Sequence, residues 1–488
     1  MRRLALVLFL VSAAAPAQDA GLGSAMQDFN AGRNARAAIG FRRALDTTAE
    51  ADLAQAEYFL AQSLERLGLE FGAFFHYAAI VRDRPSHPYW LKAVDGAALA
   101  ASQLRDDVVA PNLFEKIYGD RIDGVAPERL AAIRTSLALL AWRAGRYEDA
   151  ARLVRLVPDS SAASPQARYL TGLLQQRTDP EKAVETFRAL AALPRAGSEL
   201  RELSLIALGR TLYGLHRYPE ASAAYEKLPR FSRHWDEALF EGAYADLQKG
   251  DPGAALGKLH SLHSPHLRDE FVPESLNLAA ILYQQRCLYP QVRSTIAQFD
   301  REYLPMRDQM KSILQADLPL GEYWRMLSAG DSRLPPAVQH QLQKNERVSA
   351  MRAYLEQLDR EAARVRAEPG LAGSALKDEL LDAIAPQKEL SAQLAGKFVQ
   401  GRLADMVRLI DVLQGDRELI AFETTKGEKE MLETRFDADA QLASQRLFRP
   451  AIPPKGHEYW PFDGEYWPDE IGFYRYTVKD ACPAGRDE

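Results

Sequence analysis

Apolar residues in the first three-fifths or so of the chain fall at helical spacing, in blocks separated by turn residues. Between Arg143 and Val292 the blocks recur: a small or turn residue, then an Ala or Val opening an apolar stripe. The successive copies are Gly145-Arg146-Tyr147-Glu148-Asp149-Ala150, Asp179-Pro180-Glu181-Lys182-Ala183 and Arg217-Tyr218-Pro219-Glu220-Ala221. Asp251-Pro252-Gly253-Ala254-Ala255 and Leu288-Tyr289-Pro290-Gln291-Val292 follow. Their anchors, Ala150, Ala183, Ala221, Ala255 and Val292, are 33, 38, 34 and 37 residues apart, a period that predicts a repeat architecture. Four residues on, Val154, Phe187, Tyr225, Leu259 or Ile296 shares the anchor's helical face. Pro180, Pro219, Pro252 and Pro290 stand in a first helical turn, which tolerates a missing N–H. Pro158, Pro194, Pro229, Pro265 and Pro305 are expected to close the units. The upstream half is also helical, as in Leu205 to Leu212, so each unit is a helix, a turn and a second helix. Such a unit buries its apolar face only by stacking on its neighbours.

The unit with Leu208-Gly209, Leu212, Tyr218, Ala221, Tyr225 and Leu228 resembles the tetratricopeptide repeat (TPR) family, with small residues where two helices approach closely. Weaker units precede it, at Ala37 with Phe41 and Ala44, at Ala73 with Tyr77 and Ile80, and around Val109 and Leu113. Eight units then run from about Met26 to Tyr303, a repeat region of residues 26–304. The resemblance implies that the first helix of each pair lines a concave groove that binds a peptide or protein. It places Trp142, Arg143, Arg168, Gln175, Arg210, Tyr213, Phe240, Tyr244, Gln248, Asn277 and Gln284 there. Arg, Tyr and Trp among amides are residue types of protein-binding hot spots. The competing expectation is that Trp142, Phe240 and Tyr244 pack between repeats.

A connector over 305–336, with Pro319, Pro335 and Pro336, leads to a helical arm over 337–449. Val348, Met351, Leu355, Leu358, Ala362 and Val365 step by threes and fours as a heptad seam. After a turn at Pro369-Gly370, a second series (Leu376, Leu380, Leu390, Leu394, Phe398, Met406, Ile410 and Leu413) runs back. A third helix is expected from Arg417 to Leu447. The arm reads as an antiparallel hairpin folded on itself, with self-association as a coiled coil the alternative. The tail, 450–488, opens on the extended linker Pro450-Ala451-Ile452-Pro453-Pro454. In it Glu458-Tyr459-Trp460-Pro461 is echoed by Glu465-Tyr466-Trp467-Pro468, and Ile471 to Val478 reads as a strand. Tyr459, Trp460, Tyr466 and Trp467 can stack on a sugar or a peptide. The competing expectation is a tail that clamps the arm and buries its rings there. The fold class is therefore all-α: a TPR-like solenoid, a helical arm and a short aromatic tail with one strand.

Residues 1–17, with Arg2 and Arg3, an apolar run from Leu4 to Val11 and Ala15-Pro16-Ala17, read as a bacterial secretory signal. No later stretch is apolar enough for a membrane helix. Lys+Arg 61 against Asp+Glu 67 leaves −6, which offers nucleic acid no basic surplus. Cys287 and Cys482 suit an oxidising compartment; a buried free thiol is expected for Cys287, with a single bridge as the alternative.

No phosphate loop, nucleophile elbow or HExxH occurs, so no cofactor, metal or catalytic residue is assigned. His260, His263 and His266 read as polar residues in the turn leaving a repeat. The expected protein is a non-enzymatic scaffold of a bacterial cell envelope, in the periplasm or at the inner face of the outer membrane. It would bind an envelope protein or peptide in the groove. The alternative is a cell-wall glycan binder using the Tyr/Trp tail. A third reading cleaves glycan with a carboxylate pair from Glu458, Asp463, Glu465, Asp469 and Glu470.

Overall fold

The computed structural model describes residues 20–47, 50–106, 109–119, 122–433, 446–448 and 464–482. The signal segment, the linker at 450–454, and Tyr459, Trp460, Glu458 and Asp463 lie outside them. Sixteen helices come first, as eight helix–turn–helix pairs. They are α1 (Ala20–Asn30) and α2 (Asn34–Thr47), α3 (Glu50–Arg66) and α4 (Glu70–Asp83), and α5 (Trp90–Leu104) and α6 (Val109–Ile117). Then follow α7 (Pro127–Arg143) and α8 (Tyr147–Arg155), α9 (Ser164–Thr178) and α10 (Pro180–Ala191), and α11 (Ser198–Gly214) and α12 (Tyr218–Tyr225). The last two pairs are α13 (Trp235–Gln248) and α14 (Pro252–Leu262), and α15 (Glu274–Gln284) and α16 (Tyr289–Gln315).

The anchors explain the pairs. Ala37, Ala73, Ala150, Ala183, Ala221, Ala255 and Val292 all lie in second helices with no exposed surface. Opposite them the first helices carry small residues. A Cβ on Gly209 would stand 2.5 Å from the Tyr225 ring, so glycine sets how closely α11 and α12 cross. Two expectations change. In α6 the buried positions are Ala110, Pro111, Phe114 and Ile117, so Ala110 and Phe114 stand one residue later than the Val109/Leu113 register. Pro305 does not close the eighth unit; it sits inside α16, which continues to Gln315.

Four helices follow: α17 (Leu320–Ala329), α18 (Pro336–Lys344), α19 (Glu346–Ala367) and α20 (Ala375–Glu433). Helix α20 runs for 59 residues and passes through Arg417 unbroken, so the separate third helix does not form. The six seam residues of α19 are buried within the chain. Gln387 bonds to the Tyr354 hydroxyl at 3.2 Å across the turn, making the hairpin an intramolecular one. Strands β1 (Arg446–Phe448) and β2 (Arg475–Thr477) pair antiparallel, with Leu447 opposite Tyr476.

The chain divides into two compact units, residues 1–133 with 353–388, and residues 134–352 with 389–488. Within the first, the α19–α20 turn is bound to the early repeats. Leu69, ahead of α4, offers no side-chain cap, and the buried Glu361 carboxylate supplies one. It accepts from the backbone N–H of Phe71 and of Gly72, both at 2.7 Å. Arg364 donates to the Gly68 carbonyl, and Arg42 pairs with Glu379. Burial raises the Glu361 carboxyl to about 7, against the pull of the two amide donors. The folded form then keeps a proton that the unfolded chain releases near 4.5, so stability falls as pH rises from there to about 7. The wild type should therefore lose urea midpoint relative to Glu361→Gln across that window, because the other titrating groups, the buried histidines included, are common to both proteins. Parallel declines in both proteins would remove Glu361 as the cause.

Candidate functional site

The predicted groove residues all belong to the second unit, on the first helices α7, α9, α11, α13 and α15. Arg143 and Gln248 are exposed, while Trp142, Arg168, Gln175, Tyr213, Phe240 and Tyr244 are half-buried. Tyr213, Phe240 and Tyr244 lie against the core of the later repeats. The Phe240 and Tyr244 rings meet edge-on at 5.3 Å. Arg168 pairs with Asp159 at 3.0 Å, and Gln175 accepts from the Thr186 hydroxyl. Arg210 is already engaged, donating to both oxygens of Glu241 and, at 3.3 Å, to Glu237. Burial opposes its charge, but the Glu241 contact holds its pKa above the ordinary value.

The α15 end of this face is covered by the chain itself. Buried Asn277 donates to the Leu413 carbonyl of α20 at 3.0 Å, and Gln284 accepts from Thr424. Arg417 forms two bonds to Asp300, and Arg293 pairs with Glu428. Lys344, at the end of α18, pairs with Asp236 at 2.6 Å and Glu270 at 2.9 Å. Between these helices and the face of α11 and α13 a cavity of about 380 Å³ remains. Arg143, Arg210, Arg233 and Glu237 line it from the repeats, with Arg347, Phe398 and Arg402 opposite. The Arg347 guanidinium lies 5.0 Å from the Phe398 ring centre. Arg143 and Arg210 are among the predicted groove residues, whereas Arg347, Phe398 and Arg402 opposite them are not, because sequence periodicity carries no signal for which helices pack over this face.

The described tail residues, 464–482, pack chiefly on α14 of the repeats, while Cys482 also joins Met431 of α20 in a small cluster and β2 pairs with β1 at the arm's end. Gly253, Gly257 and Ser261 make a stripe of small residues along α14. A Cβ on Gly257 would overlap the Tyr474 carbonyl, and one on Gly253 the Tyr476 carbonyl; Gly472 N–H donates to Ser261. Arg475 forms two bonds to Asp251, and Ile471 and Tyr474 join the repeat core. Tyr466 stacks on His260 at 5.2 Å, and the Tyr476 hydroxyl meets His260 Nδ1 at 3.0 Å. Burial lowers His260 and His263 to about 4, so both are neutral packing groups at ordinary pH. Trp467 instead stands 55% exposed, with Phe473 at 57% and Phe231 at 48%. Arg230 joins this patch, lying over the Phe473 ring and donating to the Asp469 carbonyl at 2.8 Å. Cys287 and Cys482 form a disulfide across 195 residues, replacing the expected free thiol. The bond exists because the docked tail carries Cys482 to α15's end, where the Ala481 N–H meets the Arg286 carbonyl.

Among the described residues no cluster of metal-ligating side chains occurs, and no helix is long and apolar enough to cross a membrane. No family model and no curated protein matches the chain. Among solved structures, yeast Tom70 aligns with 81% of this chain and 96% of its own, at 14% identity and a TM-score of 0.21. A score that low bears on neither shape nor function. The eight helix pairs with their buried anchors make the chain an all-α protein of TPR-like architecture.

Proposed function

We propose that the protein is a non-enzymatic interaction scaffold of the bacterial cell envelope, exported to the periplasm or the inner face of the outer membrane. It holds a protein or peptide segment against the first-helix face of α7 to α13. The observation that carries this reading is the mixture on that face: Trp142, Arg143, Arg168, Tyr213, Phe240, Tyr244 and Gln248 all keep exposed surface, whereas α20 takes the α15 end. Aromatic rings beside arginine and amide groups supply contact area and directed hydrogen bonds together. The export step rests on the leading Arg2-Arg3 and apolar run.

The test is in-cell crosslinking and capture, with Arg168→Ala/Tyr213→Ala as the groove variant. These two serve better than Arg210, whose loss would strand Glu237 and Glu241. An envelope protein should be captured by the wild type and at least about tenfold less by the variant, with the helical content of the variant retained by circular dichroism. A second reading, a cell-wall glycan binder, is favoured by one observation, the exposed Phe231, Trp467 and Phe473 patch around Arg230. Absence of a protein partner, with isolated glycan retained by the wild type and lost in Trp467→Ala, would replace the scaffold by that reading.

A further inference from the structure

We infer that the outward face of α20 between Val412 and Phe422 docks a basic amphipathic helix of another protein, separate from whatever the groove holds. Helix α20 has two unlike faces here. Its inward side is committed to the repeats through Leu413, Arg417 and Thr424. Its outward side displays Val412 at 63%, Leu419 at 63% and Phe422 at 66% exposure. With Gly415 these positions step by three, four and three, an arc of about 80° at 100° per residue. A single exposed leucine needs no explanation; a continuous stripe on one helix face marks an interaction surface. A Cβ on Gly415 would meet nothing within 4 Å, so the stripe has a notch between its large side chains. A notch flanked by apolar groups at heptad spacing accepts a knob from a facing helix.

The flanking charges choose the occupant. Asp416 and Glu423 run along one edge and Glu418 along the other, all exposed. Neither Asp416 nor Glu423 has an ion-pair partner among the described residues, whereas Asp411 is held by Lys311 at 2.9 Å. Arg408 and Lys426 stand only at the two ends of the stripe, and Arg408 is paired with Asp405. A second copy laid on this face would set carboxylate against carboxylate in either orientation, because both edges are acidic. A helix with leucine-like side chains on its seam and Lys or Arg beside them satisfies both the stripe and its edges. The stripe is about 15 Å long, so about three turns of partner helix cover it.

The test uses the full mature, disulfide-bonded chain and two labelled synthetic helices with leucine at the seam, one flanked by lysine and one by glutamate. In fluorescence anisotropy the lysine helix should bind at least about tenfold more tightly than the glutamate helix. Leu419→Ser/Phe422→Ser should lose this binding at unchanged thermal stability, since both side chains already face water. Asp416→Lys/Glu423→Lys should reverse the preference, which general stickiness would not do. Equal binding of the two helices, or full binding by the serine variant, would overturn the proposal. So would a wild-type dimer in sedimentation that Phe422→Ser dissolves, which would make a second copy the occupant. A crosslink from a photoreactive residue at 419 to residues 434–463 of the same chain would overturn it too.

Discussion

Replacing Gly257 by valine is expected to lift the C-terminal segment off α14 while the Cys287–Cys482 bond still tethers it. The seat depends on a match of rises. Four residues of α14 advance about 6 Å and two extended residues about 6.6 Å, so Gly253 and Gly257 meet Tyr476 of β2 and Tyr474 just before it, with the Gly472 turn beyond. Tyr476 lies over Gly253, Tyr474 over Gly257, and Gly472 is bonded to Ser261. At Gly257 any Cβ would overlap the Tyr474 carbonyl, which belongs to backbone and cannot turn aside. Lifting the segment exposes Ile471 and Tyr474, at 0% and 2% exposure, and breaks the Arg475–Asp251 pair. Two large buried side chains correspond to about 3–5 kcal/mol of docking, or a change of about a hundredfold or more in the undocked fraction. Trypsin cleavage after Arg475 and Lys479 should therefore accelerate by at least that factor in Gly257→Val. Unchanged protection would mean that the tail is held by the disulfide alone.

The tail also shows where sequence reasoning stops. The repeats were legible because each anchor faces one neighbour at a fixed spacing, and Ala150, Ala183, Ala221 and Ala255 are fully buried as the period requires. In α6, Val109-Ala110 and Leu113-Phe114 offer apolar residues in both registers, so packing alone decided for Ala110 and Phe114. Arg417 is the expected start of a new helix, yet α20 continues past Gly415 and Asp416, with the Leu413 carbonyl and Arg417 bonded to the repeats on its inward side. Gly253 belongs to the repeat pattern and Gly257 and Ser261 follow it at every fourth position; their second task needs a segment more than two hundred positions away. The disulfide was hidden for the same reason. The predicted groove residues do share one unit, but periodicity could not say that α20 would take Asn277 and Gln284 from any partner. In the tail echo, Tyr466 is spent on His260 and Trp467 is left to solvent, a split that two identical motifs could not announce.

The other large effect is expected at Asp246, the fully buried carboxylate of α13. It pairs with Lys258 of α14 and with Lys249 at 2.6 Å, and accepts from the Ser222 hydroxyl of α12 at 2.6 Å. Lys258 is itself buried, and its only other described ion-pair partner is Glu226 at 3.2 Å, a largely exposed side chain. Asp246→Ala would leave that ammonium in a low-dielectric site without its main counter-charge, at a cost of about 3–5 kcal/mol. Lys249 is a quarter exposed and can turn to water, so the loss falls mostly on Lys258. Asp246→Leu/Lys258→Met should accordingly recover most of the stability, because an apolar pair of similar volume needs no counter-charge. Urea unfolding at neutral pH separates the cases: a large drop for the single variant and near-wild-type stability for the double one. A single variant within about 1 kcal/mol of the wild type would mean that water reaches the cluster and that it behaves as a surface pair. The consequence extends to both candidate surfaces. Helix α13 carries Phe240 and Tyr244 of the proposed partner face, while α14 carries the tail. The ion cluster joins those two helices, so in Asp246→Ala trypsin cleavage after Arg475 should rise along with the loss of partner binding, and in the double variant both should return together.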